Sequence, residues 1–443
     1  MPCRLHGAPL LGVLILQALG AGVARAEEPP SAPPSQPLDE DETKKLLEEL
    51  EAAERADPLP SRTNQPPGVP DLSRVNLLAG APGIASLNPD IAVIADVAAA
   101  AFGVAQASVA AAPEEDAPLM TGGHDPTHSG FTLRQLELAL GASVDPFFRF
   151  DAALVFLEGV EVEEAFATTL ALPLSLQARA GMFLSRFGRH NEQHPHAWSF
   201  VAQPLVYGQL MGGDDHRGLG AELSWLTPLP WATTLYASAQ ETAGACCSRT
   251  FSPEADTPAA LRTPLDLVAT GVVEQFFPLG DDLGLLWGLS AQLGPAQYLG
   301  PDGRAELWGT DVLLRYKPTG TTTRWFVELQ AEAMLRTRRT GRAALFEPSL
   351  VDGGAYAQLI YHPGPELGAG LRVDWLDGEI DDVAGAGLGR NSGRLGVVLE
   401  YAPTHFSRLL AEVNAGTRGQ GVLLWGAIVN LEVSIGAHGA HAY

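Results

Sequence analysis

FFRFDAALVFLE, residues 147–158, is the stretch on which the reading of the whole chain turns. Phe148, Phe150, Ala152, Leu154 and Phe156 fall on alternate positions, with Arg149, Asp151 and Ala153 between them. A period of two places these sets on opposite faces of an extended strand, one suited to hydrocarbon or a core and the other carrying charge. If many segments repeat the design, the chain closes into a barrel with an apolar outside and a polar lumen.

The design recurs in both directions. Upstream, Leu136, Leu138 and Leu140 alternate with Gln135, Glu137 and Ala139. Downstream, Leu174, Leu176, Ala178, Ala180 and Met182 alternate with Ser175, Gln177, Arg179 and Gly181. Strands are expected at 160–170, 219–226, 232–240, 265–277 and 283–293, and the clearest lie beyond residue 308. There Trp308, Trp325, Trp375, Tyr316, Tyr361, Tyr401 and Trp425 sit on the apolar face near strand ends, where an aromatic girdle belongs. Residues 88–103 are rich in Ala, which permits a helix, but Ile91, Val93, Ile94 and Val97 favour a first strand. The total is about sixteen strands, too many of too great a length for a sandwich. The expected fold is all-β: a transmembrane antiparallel β-barrel of about sixteen strands, preceded by a short periplasmic helix and linker.

Composition agrees. Of 443 residues 46% are hydrophobic and 18% charged, with a net charge of −24, so nucleic acid is not an expected partner. Residues 1–26 read as a secretory signal: Arg4 and His6, an apolar core, then Ala24-Arg25-Ala26. Residues 27–86 read as a Pro-rich periplasmic segment with one amphipathic helix at 38–56, either an oligomerisation piece or a solvated spacer, and 87–443 as the barrel. The exported chain meets an oxidising compartment, where the adjacent Cys246 and Cys247 could form a loop-tip staple, touch a metal, or stay two loop thiols.

No G-x-S-x-G elbow, H-E-x-x-H or P-loop occurs, so an enzyme is not expected. The residues expected to face the lumen and line a pore are Arg149, Asp151, Gln177, Arg179, Asp311, Arg315, Arg324, Glu328, Glu332, Arg336, Arg372, Asp374, Arg408 and Glu412. Each base has an acid near it in sequence, so the lining is mixed, and the acidic balance leans it toward cations. Residues 190–213 break the alternation and read as a loop folded into the lumen. His190, His194 and His196, with Glu192 among them, could hold zinc, or could be hydrogen-bonded inside a packed loop. His124 with His128, and His438 with His441, form two further pairs.

The stretches LNPDIAVIADVAAAAF (87–102), GFTLRQLELALGASVDPFF (130–148), VEEAFATTLALPLSLQARAGMFLSRFGRHNEQHPHAWSFVAQPLVYG (162–208) and the closing GAHGAHAY resemble a Gram-negative outer-membrane family. Its members are often labelled zinc-regulated TonB-dependent outer membrane receptors, similar in fold to phosphate-selective porins. The resemblance implies a sixteen-strand barrel in the cell outer membrane, a periplasmic helical segment and assembly as a homotrimer. TonB-dependent transporters proper carry a folded plug and a much larger barrel that this sequence does not spell, so TonB coupling is not expected. The first functional expectation is a porin-like channel for passive or weakly selective passage of small solutes or ions, with no cofactor. The alternatives are a metal (zinc)-related receptor using the 190–196 cluster, and a barrel whose lumen is occluded.

Overall fold

The computed structural model describes residues 89–104, 119–157, 159–242, 246–252, 261, 263–300, 302–320, 324–339, 350–378, 392–418 and 422–436. The signal segment, the 38–56 helix, His438, His441 and Tyr443 lie outside the described residues.

Sixteen antiparallel strands close on themselves, each pairing with its sequence neighbours and β1 with β16. They are β1 Asp90–Val104, β2 Gly130–Ser143, β3 Phe148–Phe156, β4 Val160–Thr169, β5 Leu176–Leu184, β6 Arg217–Leu226, β7 Ala232–Gln240 and β8 Val268–Pro278. The second half comprises β9 Leu283–Pro295, β10 Arg304–Tyr316, β11 Phe326–Arg339, β12 Leu350–His362, β13 Leu367–Gly378, β14 Ser392–Thr404, β15 Ser407–Arg418 and β16 Val422–Gly436. Closure leaves no unpaired edge, the condition for strands to cross hydrocarbon.

Most strand bounds shift by one or two residues from the sequence reading, and at two strands the pattern carries turn residues into the ladder. Leu174 and Ser175 have φ of 61° and 57° in a tight turn, so β5 begins only at Leu176. Residues 264–266 form a single 3₁₀ turn capped by Thr263 and Asp266, so β8 begins at Val268. Hydrophobic alternation ran through both places because turn residues can carry apolar side chains without entering a ladder.

Directly paired residues share a face. Leu371 pairs with Leu359 and Val397, and Leu399 with Ala369 and Ala411; the leucines here and Val397 are exposed. The neighbouring positions Arg372, Asp374, Gln358 and Glu412 are buried. A sheet that exposes leucine and buries arginine has the polarity of a membrane barrel. Tyr316, Tyr361 and Tyr401 lie toward the short-turn rim, and Trp308, Trp375 and Trp425 toward the opposite rim, all on the outer face. Trp325 precedes β11 and sits beside Tyr316 and Tyr361, with ring centroids 5.5 and 6.3 Å away. The eight-residue step from Trp308 to Tyr316 spans about 27 Å along the strand and roughly 20 Å once tilted, close to the height of an apolar band. Leu371→Arg, near the middle of β13, is therefore expected to destabilise the barrel in lipid vesicles by about 2–4 kcal/mol. Reversible urea titration checks it; a loss no larger than that of Leu371→Ala contradicts a lipid-facing site.

Residues 185–216, between β5 and β6, enter the barrel, as the broken rhythm suggested. Ser185 N–H donates to His216 O at 2.8 Å where the segment leaves the wall. Buried Asn191 donates to Ser185 O and His216 O at 2.7 and 2.9 Å and accepts from His216 N–H at 2.6 Å. A short helix α1, Leu205–Leu210, is buried throughout. Phe187, Leu205, Val206, Tyr207, Leu210 and Met211 form one core with Leu307, Met334, Tyr356 and Leu376 of the wall. Phe200 and Val201 form a second with Ala98, Ile360, Val398, Leu410 and Ile428. The wall recedes to admit them: a Cβ at Gly309 would lie 2.6 Å from the Phe187 ring, and one at Gly370 3.2 Å from Phe200.

Candidate functional site

A loop buried in a lumen takes its N–H and C=O groups away from water, and each needs a partner. The wall supplies them with charge. Glu412 of β15 accepts from Val201 N–H at 2.5 Å and Ala202 N–H at 3.2 Å. Asp374 of β13 accepts from Leu205 N–H at 3.0 Å. Glu332 of β11 accepts from His190 N–H, Arg189 N–H and the Tyr207 hydroxyl at 3.0, 3.1 and 2.5 Å. The guanidiniums do the converse. Arg372 donates to Ala202 O at 2.7 Å, Arg394 to Gln203 O and Leu119 O at 2.5 and 2.7 Å, and Arg134 to Val201 O at 2.7 Å. Arg408 donates to Trp198 O at 3.0 Å and to His196 O.

This changes the part played by several residues expected to line a pore. Glu332, Arg372, Asp374 and Glu412 face inward but are covered by residues 185–216, and Arg336, on Asp352, and Asp311 are buried as well, so water does not reach these six as a lining. Arg336 pairs with Asp352, Arg372 with Asp374 at 3.2 Å, and Arg408 with Glu432 at 2.7 Å. Arg324 is misassigned: it precedes β11 and is exposed beside its rim. Arg149 and Asp151 pair at 2.8 Å, half-buried, and Arg315 pairs with Glu328; both pairs face inward near the short-turn rim, as does exposed Gln177.

Solvent reaches the other side of the lumen. Ser224, Tyr236, Ser238 and Glu274 of β6 to β8 are half-buried on the inner face, opposite Arg186, Arg189 and Glu192. Arg186 and Glu192 pair at 2.6 Å and stay 29% and 28% exposed, while Arg186 also meets Glu222 at 3.1 Å. Burial works against the Arg186 charge, but Glu192 and Glu222 outweigh it and hold the group cationic. Glu222 is shared with Arg179 at 2.8 Å, and Asp311 lies on the same wall facing Glu332 across the β10–β11 ladder. The inserted segment thus packs on β9 to β16, and the partly exposed, mixed-charge stretch of the inner face lies beside β6 to β8.

The four expected zinc ligands are not brought together. His190 packs on Trp198 and Tyr207, with centroids 4.5 and 4.7 Å away, and Glu192 turns to Arg186. Burial, then Arg372, pushes the His190 imidazole well below its usual range. His194 and His196 stack 5.6 Å apart beside Glu137, Glu163 and Glu164. Burial alone would lower His194, but Glu163 and Glu137 raise it well above the ordinary value. Cys246 and Cys247 are joined to each other as a disulfide, the staple among the three readings. His124 is held by Arg134 O at 2.8 Å and Asp214 at 3.6 Å.

Buried neutral imidazoles make the insert acid-sensitive. Burial holds His216 down at about 4, partly offset by its hydrogen bond with the Cys247 backbone. An unfolded imidazole near 6.5 takes up a proton that the native one refuses, so this stability is complete above about 6.5 and falls as pH drops toward 4. The loss is about 1.4 kcal/mol per pH unit for each such residue. Protection factors around His216, corrected for the slower intrinsic exchange in acid, are expected to be lower at pH 5 than at pH 7.5, and this fall should vanish in His216→Phe; equal protection in the wild type contradicts it.

The signals that sequence reading missed are local. Val397–Leu399, Leu359–Tyr361 and Ala427–Val429 are apolar triplets inside alternating strands. Their middle residues, Val398, Ile360 and Ile428, are the inward contacts for the insert.

No family model matches the chain. A protein of Aquifex aeolicus (strain VF5), named only as uncharacterized, is 31% identical over 303 residues, 63% of this chain. The match spans 62% of that relative's length, less than two thirds of it. Among solved structures, the high-pH form of OprB from Pseudomonas putida aligns with a TM-score of 0.50 and 10% identity, over 79% of this chain and 94% of that one. An anion-selective porin from Comamonas acidovorans gives 0.49 and 10%, over 78% and 99%. The outer membrane channel DcaP of Acinetobacter baumannii gives 0.47 and 14%, over 79% and 96%. At such identities the likeness is one of fold, and none of these proteins carries the zinc-regulated TonB label. The chain is a closed sixteen-strand antiparallel outer-membrane barrel, the fold it shares with OprB.

Proposed function

We propose that this barrel is an outer-membrane channel passing small solutes or ions passively past the partly exposed, mixed-charge inner face of β6 to β8. The observation that carries the reading is the uneven packing of the insert: it is held against most of the wall, while Arg186, Glu192, Tyr236 and Glu274, beside β6 to β8, stay in contact with solvent. A self-paired lining with acids outnumbering bases on the open side gives a mild cation preference. Catalysis has no part in this reading, and neither does TonB coupling. Homotrimeric assembly belongs to it on the strength of the resemblance, and cross-linking in detergent tests it.

Purified protein in planar bilayers is expected to give stepwise conductance, with a reversal potential of cation sign in a potassium chloride gradient. Glu274→Lys is expected to move that potential toward anions. An absence of steps from folded protein would favour the occluded barrel instead.

A further inference from the structure

Two β-bulges shape the wall where the insert's histidines arrive. In β3–β4, Ala153 pairs with Glu164 and Leu154 with Val162, which leaves Glu163 as the extra residue. In β1–β2, Asp96 pairs with Gln135 and Val97 with Leu133, which leaves Arg134 extra. A bulge re-aims side chains. Here the consecutive Glu163 and Glu164 both reach His194, and Glu137 stands beside them from β2.

From this arrangement we propose that Glu137, Glu163, His194 and His196 form a binding site for one divalent cation of the zinc class, tying the inserted segment to β2 and β4. One oxygen each of Glu137 and Glu163 and one nitrogen of His194 all lie within 4.8 Å of one another. His194 Nδ1 is 3.1 Å from Glu163 Oε2 and 3.8 Å from Glu137 Oε2, and His196 Nδ1 is 3.3 Å from Glu137 Oε2. Ligands at about 2.0–2.1 Å from a tetrahedral zinc are roughly 3.3 Å apart, so Glu137, Glu163 and His194 need only small movements, while His196, whose Nδ1 stands beside Glu137, must swing in to complete the four. Two imidazoles with two carboxylates suit zinc better than calcium or magnesium, which take oxygen.

The outer shell is also in place. His194 Nε2 lies 3.1 Å from Glu164 Oε2, and Glu164 is itself fixed by Leu184 N–H at 2.8 Å. A bound cation would displace the Nδ1 proton, and Glu164 would then keep the Nε2 proton and hold the ring with Nδ1 toward Glu163 and Glu137, as in metal-binding histidines. Buried Gln135 donates to Glu137 Oε2 at 2.7 Å, and its own Oε1 is a buried acceptor with no donor. Charge points the same way. Glu137, Glu163 and Glu164 gather three carboxylates around His194, while Arg217 makes its ion pairs with Glu161 and Asp214.

The test uses full-length protein in detergent, stripped with a chelator and titrated with zinc alone by calorimetry. One zinc per chain is expected, with at least a tenfold loss of affinity in Glu163→Gln and in His194→Gln. Glu192→Gln, a residue of the same loop outside the cluster, should bind as wild type does. Zinc should also slow proteolysis within residues 190–200 of the wild type but not of His194→Gln. Folding of each variant is checked by heat-modifiable gel mobility, and if Glu163→Gln fails to fold, His194→Gln decides. Zinc binding that is absent, or equal in wild type and His194→Gln, overturns the site and leaves the conductance of the barrel untouched.

Discussion

Asp374→Ala is expected to be among the most damaging single substitutions in the barrel, costing about 3–5 kcal/mol, because it strands buried cations. The Asp374 carboxylate is wholly buried and meets Arg372 Nε at 3.2 Å, Arg394 Nε at 3.1 Å and Leu205 N–H at 3.0 Å. Its removal leaves two guanidiniums facing each other in a dry interior and unties the first turn of α1. Neither guanidinium can retreat to water, since each also grips the insert backbone at Ala202 O or Gln203 O. Guanidinium unfolding in micelles measures the loss. Asp374→Asn keeps an acceptor for Leu205 but not the charge, and should fall between. A cost below about 1 kcal/mol for the alanine variant would mean that the insert does not depend on this carboxylate.

Gly309→Val is expected to raise single-channel conductance at least twofold by evicting the start of the insert. Its Cβ would sit 2.6 Å from Phe187, whose ring is sealed between β10 and Tyr207, Leu210 and Met334 of the same core. Overpacking of this kind costs about 1–3 kcal/mol, and a loop yields more readily than a closed ladder. The pairing can be proved by rescue. Phe187→Ala alone opens a cavity and should destabilise by about 3–5 kcal/mol, while the double variant should recover more than the sum of the two losses predicts. Unchanged conductance in Gly309→Val, or strictly additive effects, would contradict a steric hold at this point.

The barrel itself was plain in the sequence because lipid enforces strict alternation: Leu329, Leu335, Leu371, Val373 and Val397 have no choice of face. The insert showed as a loss of rhythm after Arg189, and its entry into the lumen followed from that. What alternation cannot express is what the inner face touches. Arg372 and Arg315 look alike in a strand pattern, yet one holds a loop backbone in the dark and the other pairs with Glu328 near an open rim. Nor does a pattern foresee bulges: a single surplus residue at Glu163 swings two glutamates inward, and the one histidine both meet, His194, lies 30 and 31 positions away. His190 and His194, close in sequence, part company because Trp198 and Tyr207 claim the first as an aromatic partner.

The glycines at 309 and 370 carry an implication for how such barrels can be rebuilt or can diverge. Gly309 is a mould for the Phe187 ring, and Gly370 makes room for Ile360 and Val398, the wall side chains that pack on Phe200, so scaffold and insert are inherited as matched halves. Transplanting residues 185–216 into a related barrel would seat only where the host keeps these hollows. Engineered pores of altered bore are therefore best sought by varying ring and hollow together, as coupled pairs in one library.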